Sequence, residues 1–297
     1  MNKKGFLSTS MVYSFFLVFL LLLLFIVADL INNRTLVSKI SNEIKDSIYN
    51  SSLSGYLINE ADSLGLVYHN NNLENSLNDN SYRYVGLDPN NYVCLGDNCS
   101  DVNNLYRIIG IIDGKVKLIK NTASANMAID SFNSDFNYTS LVNYLNTPNE
   151  DSYYTSISSY VNLIATTSWH VGGISELSTN SVDVYNAEMA SSTILRQIGL
   201  MYISDYLYAS DNNGDNWLND GTNNWVITKY NPEIVDNSKD TEIIDEYYYI
   251  DSLGTISRAN ITATNNIRPV FYLKNSVKMT GGKGTLQEPY LIGGNNA

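Results

Sequence analysis

The chain has 297 residues, enough for one large domain or two small ones, and its 18 Lys and Arg against 30 Asp and Glu give a net charge of −12. That acidic balance excludes a nucleic-acid partner, whose phosphates demand a basic face. Charged residues make up only 16% of the chain, so its surface must be carried by Asn, Ser, Thr and Tyr. With 23 Tyr the chain is suited to recognition surfaces, where Tyr offers a large rigid amphipathic contact, although the codons of an AT-rich genome would give the same bias.

The first element is an apolar run from Met11 to Ala28, uncharged from Gly5 onward and preceded by Lys3 and Lys4. A helix needs roughly 20 apolar residues to cross a bilayer, so the run predicts a transmembrane helix whose partner is the lipid bilayer. No small-residue cleavage pattern follows it, and the leading lysines keep the amino terminus inside. The expectation is a single-pass cell-membrane protein with its carboxy-terminal body extracellular. Leu36, Val37, Ile40, Ile44 and Ile48 then recur at three- and four-residue steps, which predicts an amphipathic helical extension. A second helical piece is expected over 56–66, and the Asn-rich stretch 69–81 reads as a linker.

Lys3-Lys4-Gly5-Phe6 before an apolar helix resembles the leader of type IV pilins and pseudopilins. The resemblance implies processing between Gly5 and Phe6, and pilin-like subunits as partners. The family's Glu at the fifth position after the cut is Ser10 here, which points to a minor subunit rather than the main building block.

The body begins near Tyr82. Tyr82-Arg83-Tyr84 and Tyr92-Val93-Cys94 alternate as strands do, with a turn at Asp88-Pro89-Asn90-Asn91 between them. Residues 105–112 and 115–120 are strands joined by Asp113-Gly114, a strong hairpin signal. Short helices are expected over 140–145, 156–164 and 183–189, a second hairpin-like unit over 247–256, and a last strand pair around Ile267-Arg268-Pro269-Val270.

Four phrases in this body carry a second resemblance: Tyr106-Arg107-Ile108-Ile109-Gly110, the run 198–206, Ile267-Arg268-Pro269-Val270, and Gly281-Gly282-Lys283-Gly284-Thr285 with Glu288-Pro289-Tyr290. Together they resemble a group of Gram-positive surface proteins whose domain is similar to the formylglycine-generating, sulfatase-modifying fold, itself related to C-type lectins. The implied fold class is α+β: a long amino-terminal transmembrane and amphipathic helix, then a loop-rich, lectin-related mixed domain with short strands. The expected segments are 1–31 (cytoplasmic tip and transmembrane helix), 32–81 (amphipathic stalk and linker) and 82–293 (lectin-related domain).

The candidate chemistry is sparse. Cys94 and Cys99 in an exported chain read as a disulfide. The other reading is a reactive pair, since the formylglycine-generating enzymes use a similarly spaced one; theirs lies late in the fold, where this chain has no Cys. The two His, His69 and His170, supply neither a triad nor an ordinary zinc site, so no catalytic residue is assigned. Asp211, Asn213 and Asp215 alternate as hard oxygen donors do in calcium loops, making calcium the one candidate cofactor; a solvated surface loop would read the same. Trp217, Tyr206 and Tyr208 flank that loop as candidate ligand-binding aromatics. Trp225 and Arg268 read as core. The expected function is a non-enzymatic binding or adhesion module for a cell-surface glycan or protein, as part of a minor pilin-like subunit. The alternatives are a formylglycine-generating-type enzyme and a purely structural envelope subunit.

Overall fold

The computed structural model describes residues 13, 16–24, 27–28, 52–70, 76–232 and 245–293. The chain divides into two units, Met1–Asn50 and Ser51–Ala297. Gly5, Phe6 and the amphipathic repeat from Leu36 to Ile48 lie outside the described residues.

The long membrane-crossing helix expected at the amino terminus is not what the structure shows. Among the described residues no helix is long and apolar enough to span a bilayer. The fold class is therefore corrected to α+β, mostly sheet, with short helices.

The second unit opens with helices α1 (Leu53–Asn59) and α2 (Ala61–Leu64), then strands β1 (Leu66–Tyr68), β2 (Tyr82–Tyr84), β3 (Tyr92–Leu95), β4 (Leu105–Ile112), β5 (Lys115–Lys120) and β6 (Ala125–Met127). Helices α3 (Ser140–Asn146) and α4 (Tyr153–Ser156) precede β7 (Thr167–His170), α5 (Ser181–Met189), β8 (Thr193–Arg196), β9 (Ile198–Gly199) and α6 (Ile203–Leu207). The chain ends with β10 (Asn224–Tyr230), β11 (Glu246–Ile250), β12 (Ile256–Asn260), β13 (Asn265–Ile267), β14 (Val270–Tyr272), β15 (Met279–Gly281) and β16 (Tyr290–Ile292). Where a helix was expected over 156–164, the chain instead ends α4 at Ser156 and runs through a 3-10 segment, Ser158–Leu163.

A nine-stranded sheet in the order β15-β16-β3-β4-β5-β14-β9, with β2 pairing the far end of β4 and β1 pairing β2, forms the frame. A five-stranded sheet, β12-β11-β10-β13-β6, and the β7–β8 pair complete the unit. The β4–β5 hairpin sits at the centre of the frame for a local reason. Asp113 and Gly114 adopt φ of 51° and 70°, the double positive φ of the hairpin turn whose twist matches its strands. Both strands are buried along nearly their whole length, as central strands covered on two faces must be.

The core joins Leu53 and Leu57 of α1 to Ile108, Leu118, Trp169, Phe271 and Tyr290 of the sheets. The stretch read as stalk and linker thus contributes to the body: Leu53, Leu57, His69 and Leu77 are all buried. Cys94 and Cys99 are joined by the expected disulfide, with Cα atoms 5.5 Å apart. Arg268 is buried as expected, its Nε donating to Lys120 O and its Nη1 to Leu218 O.

Candidate functional site

Two neighbouring hollows draw on α5, α6 and the residues around β2, and they differ in chemistry. The first is a small hollow of about 100 Å³ lined by Asp79, Arg83, Lys117, His170, Tyr185 and Asp205 among others. Arg83 enters from β2, where it pairs with Gly110 across the sheet. A Cβ on Gly110 would lie 2.3 Å from Tyr82 O and 3.2 Å from Arg83 Cγ, so glycine is what admits the arginine stem there. Lys117 comes from β5, and Asp205 from the first turn of α6, where its Oδ2 accepts from Tyr202 N–H at 2.9 Å and so caps the helix.

These three side chains form one array. Asp205 Oδ1 accepts from Arg83 Nη1 at 3.1 Å, and Oδ2 accepts from Lys117 Nζ at 2.5 Å. Arg83 also donates from Nε to Ser81 Oγ and from Nη2 to Asp79. Each of the three side chains is no more than 3% exposed. The ring centroids of Tyr202, Tyr272 and Trp169 lie 4.5, 5.2 and 5.6 Å from Lys117 Nζ. Burial alone would raise the Asp205 carboxyl, but Lys117 and Arg83 beside it pull it below its ordinary value. Burial lowers the Lys117 ammonium. Behind the array, Glu188 of α5 accepts from Ile203 N–H and Ser204 N–H and from the Thr228 hydroxyl. Burial there raises its carboxyl to about 7.

The second hollow is an open cleft of about 770 Å³ whose wall includes His69, Thr179, Asn180, Ser181, Tyr208, Ser210, Asp211 and Asn212. The loop that forms one side of it is knit by its own backbone and short side chains. Asp211 Oδ1 accepts from the N–H groups of Asn213 and Asp215 at 2.8 and 3.0 Å. Asn216 Nδ2 donates to Tyr206 O and Ser210 Oγ. The opposite side is the amino-terminal end of α5, capped by Asn180, whose Oδ1 accepts from Val182 N–H. Thr179, Asn180 and Asn212 are exposed, so the rim of the cleft is neutral and rich in hydrogen-bonding groups.

No family model matches the chain, and no curated protein or solved structure does either.

The expected site residues separate on this geometry. Tyr208 and Asp211 line the cleft. Asn213 and Asp215 are exposed on the same loop, with the Asp211 carboxylate engaged by their backbones. Among the described residues no three His, Cys, Asp or Glu are grouped to hold a metal ion. Tyr206 and Trp217 are buried instead of presented: Tyr206 donates to Gly254 O, and the Trp217 indole donates to Tyr84 O at 3.1 Å. The Arg107 guanidinium lies 4.5 Å from the Trp217 ring. His69, read as a linker residue, is buried with its ring 5.0 Å from that of Tyr208, and burial with the nearby Arg83 lowers it to about 4. Arg83, Lys117, Asp205 and Glu188 were not singled out from the sequence. The available signal was a lone carboxylate in the otherwise uncharged run 198–210, and a lone Arg between the tyrosines of β2.

Proposed function

We propose that the protein is a non-enzymatic surface-binding module, exported from the cytoplasm, that takes a neutral hydroxyl-rich ligand such as a cell-surface glycan in the cleft beside Tyr208. The observation that carries this reading is an open cleft of about 770 Å³ whose wall sets the hydroxyl and amide groups of Thr179, Asn180, Ser181, Ser210 and Asn212 beside apolar Val67, Val85 and Leu207. Such a wall can both donate to and accept from sugar hydroxyls, and it stands on a loop and a helix end held by the sheet frame. The disulfide agrees with an oxidising compartment.

The test is binding of the full chain to a glycan array and to purified Gram-positive wall polysaccharide and peptidoglycan, with and without calcium. Binding should survive chelation of calcium. It should weaken about thirtyfold in a Thr179→Val, Asn212→Ala double variant, the effect of two lost neutral hydrogen bonds at about 1 kcal/mol each. No binding to any of these surfaces, or binding untouched by the double variant, would overturn the reading.

A further inference from the structure

We propose that Lys117 and Asp205 condense to an intramolecular amide, so that the mature protein carries a covalent cross-link between β5 and α6. The geometry presents the two reacting groups with the surroundings the reaction needs. Nζ and Oδ2 are 2.5 Å apart, and the two side chains are 1% and 2% exposed. Three aromatic rings stand around the amine where water would otherwise solvate it. The hollow above holds only about 100 Å³. Fixing an amine against a carboxyl in this way supplies effective concentrations of about 10⁵ M or more, and exclusion of water favours the condensed side of the equilibrium.

Each oxygen of Asp205 has a place in the step. Oδ1, held by Arg83 Nη1 at 3.1 Å, carries the developing negative charge when Nζ attacks the carboxyl carbon, and it becomes the amide carbonyl oxygen. Oδ2, which faces Nζ and the Tyr202 N–H, is the oxygen that leaves. Two protons of the ammonium pass to Oδ2, the carbon–Oδ2 bond breaks as the carbon–nitrogen bond forms, and one water departs. The ammonium and the carboxylate cancel in charge, so no oxidant, reductant or co-reactant is required. Burial, which disfavours the charged amine, assists the first proton transfer, while Arg83 opposes it by holding the carboxylate. The cross-link ties the central hairpin to the helix that carries the cleft loop, but the inference does not depend on what the cleft binds.

The test is the intact mass of the full chain, denatured and with its disulfide reduced, followed by a proteolytic digest. The expected mass is one water below that of the sequence, with a branched peptide joining the segments that contain Lys117 and Asp205. The Lys117→Arg variant, read in the same denatured state whether or not it folds, should recover the full mass. A wild-type chain of full mass, with Lys117 and Asp205 in separate linear peptides, would overturn the proposal. So would a water loss that maps to a succinimide elsewhere.

Discussion

The hollow over Lys117 and the cleft beside Tyr208 are built from the same helices, α5 and α6, yet their chemistry is opposite. The hollow encloses charges that neutralise one another: Arg83 and Lys117 meet on Asp205, and Asp79 pairs with the other end of Arg83. The cleft shows solvent its neutral groups, Thr179, Asn180 and Asn212, and its one carboxylate, Asp211, is turned to the loop's own amides. The difference teaches where each kind of polar group belongs. A buried ion cluster holds its elements in one arrangement because every departure strands a charge, whereas exposed neutral donors and acceptors are free to exchange water for a ligand.

The sharpest way to break that comparison is to remove the shared anion. Asp205→Ala leaves Arg83 and Lys117 buried without their common partner, and it should cost roughly 3–5 kcal/mol or more in denaturant unfolding. Asn212→Ala, at the exposed rim of the cleft, should stay within about 0.5 kcal/mol. Similar costs for the two would mean that the array is not part of the frame.

A smaller effect separates the two regions by pH. Glu188 titrates near 7 in the folded protein against an ordinary 4.5, so folding binds a proton more firmly. Its stability contribution is complete below the ordinary value and is lost as pH rises toward about 7. His69, lowered to about 4 from 6.5, has the reverse sign: stability grows as pH rises from about 4 to 6.5. Each amounts to roughly 3 kcal/mol, and over the shared window the two oppose each other. Unfolding free energies measured between the ordinary values of 4.5 and 6.5 should therefore be nearly flat in the wild type. They should rise with pH in Glu188→Gln and fall with pH in His69→Phe. Asp79, below its ordinary 3.8, stays ionised over that range. A wild-type slope as steep as that of either variant would show that the two groups do not titrate as their burial implies.

The parts of this molecule legible in the sequence are those set by local rules. The Asp113-Gly114 turn demanded a hairpin, and Cys94 and Cys99, five positions apart, were near enough to pair. The alternation at Tyr82-Arg83-Tyr84 marked a strand. The array at Asp205 was not legible, because Asp205 on α6 meets Arg83 and Lys117 of the sheet across 122 and 88 positions, and no short-range pattern records that. Trp217 shows the complementary failure. Aromatic residues beside Asn and Asp look alike whether they face a ligand or the core. Only the contacts to Tyr84 O and Arg107 place this one inside.

The central claim, recognition at the cleft on a frame held by the buried array, is tested most directly by amide hydrogen exchange of the full chain with and without purified Gram-positive wall polysaccharide. The account predicts that added protection falls on residues 179–182 and 207–212, while the amides around Arg83, Lys117 and Asp205 are slow in both samples and unchanged. Protection confined to any other surface, or no change at the cleft in a sample that binds, would contradict it.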